Sequence, residues 1–554
     1  MMRAAYDVVV IGSGFGGSIP AMRLAQAQRA AGKPVSVCVL EKGKRYNLGE
    51  FPRDVAKPKE WFWRNEGAHG WTGLVDFRQF QNISVGCASG VGGTSLIYLD
   101  VQINAFDSAF EMGVAEGAPR WPQSVRDWKA ELAPYYRRLE KMLHPGPMPE
   151  PNLKARALRA GAASIGDAAR FHLVDLAVYW GQGGGEPGVR HPDPYHWGGP
   201  PQFACSHCGE CFIGCNTHSK NTLDLNYLWF AERAGAEVYS QHQVLGIAPE
   251  GGGYRVAFKD LRWGFEGSVL AGKVILAGGC LGSTELLLRM KHGYRRKGRS
   301  FAPTLPRISD MLGRYFSGNG DFGAVAFETH RMINPMDGPT ITATVEYADR
   351  LNQRGFIVED GGFPDVLRAN LKELPGGLSS GRRLLRALRD LVSAAGHRRL
   401  AEGIFHQLDL ETTRDAMPYL VMGADAADGE MSIDAEGRLQ ILWRNERSMP
   451  LWREMENTLR ALTQTPPPGL DGNLMLNPTW SAEKQLITVH PLGGCPLGDD
   501  PAHGVVSPQG EVFHYPNLFV TDAAIIPTAV GRNPSKTIGA MAERIAEGII
   551  QRGV

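Results

Sequence analysis

The chain has 554 residues, of which 43% are apolar and 21% are charged, and 59 Lys and Arg nearly balance 58 Asp and Glu. This balance excludes a protein held to nucleic acid by a strong basic field, and the composition excludes a largely disordered chain. No uncharged apolar run reaches the roughly 18 residues of a membrane-spanning helix. Glycine is unusually abundant at 68 residues, which predicts tight turns and close approach of backbone to a ligand.

The first predicted strand begins so early that no secretory signal precedes it, and we therefore expect a cytoplasmic protein. The elements predicted next, in chain order, form a βαβ opening followed by a mixed middle and a return to strand, loop and helix. Strands are predicted at 6–11, 35–41, 238–247, 253–259, 272–278, 340–346, 354–359 and 431–443. Helices are predicted at 18–31, 123–143, 221–234, 380–401 and from 537 onward. The loop 181–204 is dense in Gly, Pro and His.

The first motif, GSGFGG, lies between the first strand and the first helix. Gly12 permits the tight turn, Gly14 and the adjacent Phe15 bring the backbone close to a pyrophosphate, and Gly17 lets the helix pack on the strand. Glu41 ends the second strand, where an acid can bind a ribose hydroxyl. The pattern predicts a dinucleotide site, and by itself it does not separate FAD from NAD.

Three further segments accompany this motif: GCASGVGGTSLIY at 86–98, HPLGGC at 490–495 and NLFVTDAAIIPTAVGRNPSK at 517–536. Together the four resemble the glucose–methanol–choline (GMC) oxidoreductase family, most closely its bacterial cholesterol-oxidase-like branch. The resemblance implies an α/β fold in which a Rossmann-like FAD-binding domain is interleaved with a substrate domain built on a mainly antiparallel sheet with helices. We expect an FAD-binding domain at 1–105, 215–325 and 470–554, a substrate domain at 326–469, and an insert at 106–214.

The resemblance also implies that FAD is the cofactor. The loop containing Gly92, Gly93, Thr94 and Ser95 is expected to lie against the flavin and its pyrophosphate, and Asp522 is expected near the ribityl and phosphate groups. No histidine follows Ser95 in the next few positions, so we expect non-covalent flavin.

Oxidising an alcohol requires a group that takes the hydroxyl proton and a flavin that takes the hydride. His490 and Asn533 match the active-site histidine and asparagine of the family. From the residues alone, a packed loop histidine and a helix N-cap are the favoured interpretations. Glu359 ends the apolar run FIV, where a carboxylate would have a raised pKa and could take or shuttle a proton. The alternative is an acid in a turn at a sheet edge.

Half of the eight cysteines form the pattern C-x2-C-x2-C-x3-C: Cys205, Cys208, Cys211 and Cys215. This is the spacing of bacterial ferredoxins, and the predicted ligand is an Fe–S cluster, with 4Fe-4S favoured over zinc and over free or paired thiols. A cluster near the flavin would pass electrons to a carrier protein. Without one, the cysteines are a structural clip and the enzyme uses oxygen.

The segment 380–401 has a leucine stripe and many arginines, which indicates either a lid helix or peripheral contact with a membrane surface. The predicted reaction is FAD-dependent oxidation of an apolar alcohol, namely a sterol, steroid, terpenoid or long-chain alcohol. The alternatives are an oxygen-using oxidase, a lyase or decarboxylase on the same fold, and an electron-transfer module without a substrate.

Overall fold

The computed structural model describes residues 2–28, 32–54, 57–64, 70–115, 117–364 and 413–553. The segment 380–401, for which a lid or membrane-surface helix is predicted, lies outside the described residues. Within those ranges, no helix combines the length and the apolar character that are needed to cross a bilayer.

The first sheet has seven strands and a parallel centre. Its order is Glu237–Tyr239, Val37–Leu40, Ala5–Ile11, Glu266–Leu276, Gly253–Asp260 and His242–Glu250, with Leu518–Val520 added beside the end of Glu266–Leu276. The last four residues of the strand Ala5–Ile11 are buried on both faces, which explains why all four are apolar. The last two strands of the order pair antiparallel. The predicted βαβ opening is confirmed.

The helices Phe15–Ala25 and Gly279–His292 pack on the first sheet. The helices Tyr227–Arg233 and Ser535–Gln551 pack on Phe15–Ala25, and Trp128–Leu143 packs on Ser535–Gln551. Because Ser535–Gln551 packs on Phe15–Ala25, the chain end closes over the chain start. Arg23 donates to both carboxylate oxygens of the fully buried Glu543 at 2.8 Å, and Tyr227 donates to the same group at 2.7 Å. One carboxylate thereby joins three helices.

The second sheet has six strands, all antiparallel. Its order is Asn473–Leu476, Phe322–Phe327, Met417–Gly423, Phe356–Asp360, Ala343–Glu346 and Phe171–Leu173. The helices Leu153–Ser164 and Met449–Thr463 pack against it. A parallel-centred first sheet and an antiparallel second sheet confirm the predicted fold class. Two of the six strands lie entirely outside 326–469 and a third, Phe322–Phe327, begins before it. The division into domains stays a prediction.

Smaller elements complete the fold. In one three-stranded sheet, Ile83–Ala88 lies between Val75–Gln79 and Leu486–Thr488. The two-stranded sheets are Glu430–Ile433 with Leu439–Leu442, Tyr294–Arg296 with Arg299–Phe301, Trp63–Arg64 with Trp71–Thr72, and Arg190–His191 with Gln202–Phe203. Two further α-helices are Pro58–Trp61 and Pro478–Glu483. The 3₁₀ helices are Gly93–Leu96, Asp107–Glu111, Ala168–Arg170, Cys211–Ile213, Leu223–Leu225, Thr413–Asp415, Glu446–Ser448 and Ala523–Ile525.

Several predicted boundaries differ from the structure for local reasons. The first helix begins at Phe15, directly after the glycine turn, rather than at residue 18. The predicted strand 431–443 is a hairpin, because Gly437 turns the chain at φ +74° and Asp434 accepts a hydrogen bond from the Arg438 amide.

Candidate functional site

A long cavity opens at the carboxyl ends of the parallel strands of the first sheet. Its walls include two glycine loops, the second parallel strand end and the start of the helix Gly279–His292. The predicted cofactor residues that line it are Gly12, Gly14, Phe15, Glu41, Gly93, Thr94 and Asp522. A dinucleotide is expected at this place in such a sheet, because helix N-termini and loop amides converge there.

The remaining predicted cofactor residues shape this cavity from behind. A Cβ on Gly17 would lie 2.1 Å from the carbonyl oxygen of Gly12, so the helix can pack on the strand only with glycine there. A Cβ on Gly93 would lie 2.5 Å from the Cα of Gly14, so the two glycine loops touch. Ser95 donates to the Gly92 carbonyl at 2.7 Å and thereby closes the second loop.

The two predicted acids are held by their own protein contacts. Glu41 accepts hydrogen bonds from the Ser13 hydroxyl at 2.7 Å and the Gly43 amide at 2.8 Å, and burial raises its pKa. Asp522 accepts from the Ser283 hydroxyl at 2.5 Å and the Gly279 amide at 2.8 Å. Burial raises the pKa of Asp522 to about 6. Both carboxyls therefore organise the loops around the cavity as well as facing it.

Charged residues that the motifs did not indicate also line the cavity. Asp76 lies 2.5 Å from Lys42 and 3.0 Å from Arg78, and these cations keep the pKa of Asp76 below its usual range although burial opposes them. Arg78 also reaches Glu285 at 2.7 Å. The three wall elements bearing these groups are far apart in sequence, so no local pattern marks them.

Two of the three predicted catalytic residues meet between the sheets. Glu359 lies on the strand Phe356–Asp360, which runs between two other strands, and it is fully buried; it is not an acid in an exposed turn. Asn533 Nδ2 lies 3.4 Å from Glu359 Oε2. Asn533 does not cap the final helix, whose N-cap is Pro534. Glu359 Oε1 and Asn533 Oδ1 have no hydrogen-bond partner among the described residues.

The surroundings of Glu359 strongly favour its neutral form. Burial raises its pKa well above the ordinary range, and the carboxylates of Asp360 and Asp321 act in the same direction. The Asn533 amide opposes them. The ionised form of Glu359 is consequently a stronger base than an exposed glutamate.

The third predicted residue, His490, is paired with a carboxylate. Its Nδ1 lies 2.8 Å from Asp321 Oδ1, and its side chain is 17% exposed. Its Nε2 makes no hydrogen bond to any residue in the described ranges. The influence of Asp321 on Glu359 places the histidine dyad and the Glu359–Asn533 pair in one electrostatic neighbourhood.

The sequence analysis did not identify the short segment 317–321, which hydrogen-bonds to the loop before Asn533 and to the loop before His490. Asn319 accepts from the amides of Val530 and Gly531 at 2.9 Å, just before Asn533. Asp321 accepts from the Val489 amide at 2.9 Å, just before His490. An Asn and an Asp in a glycine-containing loop are ordinary in sequence, and only the fold shows what they hold.

The four cysteines of the predicted cluster border one small cavity, together with Ser219 and Lys220. Burial raises the pKa of Cys211 to about 12 and also raises that of Cys205. Among the residues that the structure describes, no three His, Cys, Asp or Glu side chains are arranged as a metal-binding group. The four thiols border the same cavity, and binding a metal ion there would require their side chains to change conformation.

Lys220 ties this cysteine segment to the second glycine loop. Its buried ammonium donates to the carbonyls of Cys211 at 2.8 Å, Tyr98 at 2.5 Å and Leu96 at 3.4 Å. The carboxylate of Asp100 lies 3.7 Å away. The cysteine cavity therefore lies directly behind the loop that continues from Thr94 and Ser95.

Comparison with known proteins agrees with this geometry. The family description "GMC oxidoreductase" matches residues 378–542. A cholesterol oxidase from Acinetobacter baumannii is 27% identical over 556 residues, which cover 97% of this chain and 93% of that protein. A cholesterol oxidase from Mycobacterium tuberculosis is 29% identical over 580 residues, which cover 98% and 91%. The chain belongs to the GMC oxidoreductase family. Its relatives place it on the cholesterol-oxidase-like branch.

The fold of this GMC oxidoreductase agrees with a solved structure. Pyridoxine 4-oxidase from Mesorbium loti superposes with a TM-score of 0.60 at 16% identity, covering 98% of this chain and 99% of that one. The cavity between the glycine loops fits FAD, because both loops and the first turns of two helices line it, and backbone amides at such places bind a pyrophosphate. The protein is an FAD-dependent alcohol oxidoreductase, and bound FAD supplies the hydride acceptor.

Proposed function

We propose that this enzyme oxidises an apolar secondary or primary alcohol, of the sterol, steroid, terpenoid or long-chain class, to a ketone or aldehyde. The observation that carries the proposal is the buried pair of Glu359 and Asn533, each with one oxygen that has no protein partner in the described residues. Buried polar atoms are normally satisfied. A substrate hydroxyl beside this pair would donate its hydrogen to one of these oxygens.

The apolar substrate class is supported by the face on which Glu359 lies. In the strand register, Ile357 is opposite Met422 and Glu359 is opposite Leu420, so all four share one face of the second sheet. Ile357, Met422 and Leu420 form an apolar cluster with Phe106. A sugar in this position would leave hydroxyls without partners, at a cost of about 1–3 kcal/mol each.

Each side chain has a proposed task. The Asn533 amide donates a hydrogen bond to the alcohol oxygen, and His490 Nε2 accepts the hydrogen bond of the hydroxyl group. Glu359, in its ionised form, receives the hydroxyl proton from this site or shuttles it onward, since burial makes it a strong base. His490, Asn533 and Glu359 thereby orient the carbon that loses hydride and exclude water from it.

Anaerobic flavin reduction tests the proposal. The FAD-loaded protein, mixed without oxygen with cholesterol or 1-dodecanol in detergent, should lose its flavin absorbance near 450 nm, whereas glucose should leave it unchanged. Reduction by glucose alone would contradict the apolar class. Consumption of substrate with the flavin remaining oxidised would favour a lyase or decarboxylase. Acid precipitation should release the FAD, since we propose non-covalent binding.

We further propose that the four cysteines hold an iron–sulfur cluster, with a 4Fe-4S type favoured. Four thiols of ferredoxin spacing border one cavity, and the buried Lys220 ammonium lies beside it, where it would offset thiolate charge. Such a cluster accepts single electrons and would make a carrier protein, rather than oxygen, the electron acceptor.

Metal analysis of anaerobically purified protein tests the cluster. About four irons and four acid-labile sulfides per FAD are expected, and both should be lost in Cys211→Ser. Cys87→Ser is a matched control, because Cys87 lies in the FAD cavity and not in the cysteine cavity. Zinc, or no metal at all, would contradict the proposed iron–sulfur cluster. The favoured alternative would then be an oxygen-using oxidase in which the cysteines have a structural role.

A further inference from the structure

The carboxylate of Asp321 is almost completely buried and is surrounded by three groups of the strand end that leads to His490. The Val489 amide donates to Oδ2 at 2.9 Å, the Thr488 hydroxyl lies 2.9 Å from the same oxygen, and His490 Nδ1 lies 2.8 Å from Oδ1. The Thr488 hydroxyl also accepts from the His490 amide at 3.0 Å. Asp321 is therefore directed at one nitrogen of one histidine.

We propose that Asp321 is the positioning residue for His490, and that it keeps the imidazole hydrogen on Nδ1 and the lone pair on Nε2. An ionised carboxylate can only accept, so the nitrogen that it contacts is the one that donates. The second nitrogen of the neutral ring is then the acceptor. This inference rests on the proposed role of His490 and adds the reason why its Nε2 can accept the hydroxyl hydrogen of the alcohol.

The proposed tautomer of His490 can be tested with Asp321→Asn, because the Val489 backbone amide fixes the orientation of the new side chain. The Val489 amide can only donate, so an asparagine at position 321 must place its carbonyl oxygen at the Oδ2 position. Its NH₂ group then faces His490 Nδ1, which must become the acceptor. Nε2 would carry the hydrogen and lose its ability to accept one. Asp321→Asn therefore changes the tautomer while keeping the shape and volume of the side chain.

The matched control is Asp425→Asn, because the Asp425 side chain also hydrogen-bonds to the segment 317–321. Asp425 is buried and accepts from the Ser317 hydroxyl at 2.8 Å, the Gly320 amide at 3.0 Å and the Ala427 amide at 2.8 Å. None of these hydrogen bonds is to His490. Both variants thus weaken hydrogen bonds of the segment 317–321, but only Asp321→Asn changes the tautomer of His490.

The first readout is the ¹⁵N spectrum of histidine-labelled, FAD-loaded protein, with the His490 signals identified by their loss in His490→Gln. In the wild type and in Asp425→Asn, the protonated nitrogen should be Nδ1; in Asp321→Asn it should be Nε2. The second readout is anaerobic flavin reduction by cholesterol. Asp321→Asn should lower the maximal rate by roughly 100-fold or more, with little change in half-saturation, and Asp425→Asn should stay within about threefold of the wild type.

Two results would overturn the proposal. One is a wild-type His490 that carries its hydrogen on Nε2. The other is an Asp321→Asn protein whose rate falls only in proportion to the rate of Asp425→Asn, which would mean that Asp321 merely stabilises the segment. If no alcohol reduces the wild-type flavin, the proposed function fails, and the ¹⁵N spectra still decide the tautomer.

Discussion

Glu359 is the residue whose chemistry depends most on its surroundings. Burial raises its pKa, and its Oε1 has no partner among the described groups. Glu359→Gln keeps the shape and removes the base. We expect the rate of anaerobic flavin reduction to fall by roughly 100-fold or more, while FAD content stays unchanged. A variant with a rate within a few-fold of the wild type would show that another group takes the proton.

The same substitution should stabilise the protein in a pH-dependent manner. A carboxyl whose folded pKa is raised contributes stability that is present below its unfolded pKa, near 4.3, and that is lost as the pH rises toward the folded pKa. Glu359→Gln removes this loss. Its free energy of unfolding should match the wild type near pH 4 and exceed it increasingly above, by at most about 1.4 kcal/mol per pH unit.

Urea titrations at pH 5 and pH 8 measure this difference. Glu111→Gln is the matched control, because Glu111 is exposed. A gain in Glu359→Gln that is equal at the two pH values, or a gain of the same size in the control, would contradict the pH argument.

At the level of residues, the sequence indicates a site where the side chains lie in a local motif. His490, Asn533 and the first glycine loop were named from such motifs, and their catalytic and cofactor-binding roles stay predictions. Asp321 and Asn319 were missed because their function arises from hydrogen bonds to loops that lie about 170 and 210 residues away. No pattern within a few residues could reveal such contacts.

At the level of elements, substitutions of two glycines in the first loop should have different effects, one on folding and the other on cofactor binding. A Cβ at Gly17 would lie 2.1 Å from the Gly12 carbonyl oxygen, whereas a Cβ at Gly14 would meet only the Cα of Gly93 at 3.8 Å. Gly17→Ala should lower the melting temperature of the apoprotein. Gly14→Ala should leave it unchanged and weaken FAD binding roughly tenfold or more, because the added methyl group occupies the pyrophosphate approach.

The measurements are apoprotein melting curves and FAD titrations by fluorescence quenching, with each variant serving as the control for the other. Equal losses of apoprotein stability in the two variants would contradict the assignment. So would an unchanged FAD affinity in Gly14→Ala.

Elements were predictable where the hydrophobic pattern had a clear period. Within the strand Ala5–Ile11, the residues after Asp7 are all apolar because both faces of the strand are buried there. The strands Phe322–Phe327 and Met417–Gly423, which are neighbours in the second sheet, were not predicted. Their partners are up to about 150 residues away, and a short apolar run gives no sign of such pairing.

At the scale of the whole molecule, one buried ion pair joins the predicted insert to the sheet that carries Glu359. Lys154, on the helix Leu153–Ser164, lies 3.1 Å from the carboxylate of Asp360, and both side chains are fully buried. The ammonium also donates to the Thr340 carbonyl at 2.6 Å. Asp360 in turn accepts from the amides of Thr342 and Ala343, so the pair fixes two strands and a helix at once.

Removing one member of this pair should be costly, because a buried charge is left without its partner. Lys154→Met should lower the free energy of unfolding by about 3–5 kcal/mol, and Lys154→Met/Asp360→Asn should recover at least half of the loss, since neither charge then remains. Lys129→Met is the matched control: its pair with Asp107 is 63% and 65% exposed, so a much smaller loss is expected. Urea midpoints of the FAD-loaded proteins measure all three. If Lys154→Met loses no more than Lys129→Met, or if the double variant is less stable than the single one, the pair does not hold the insert to the second sheet.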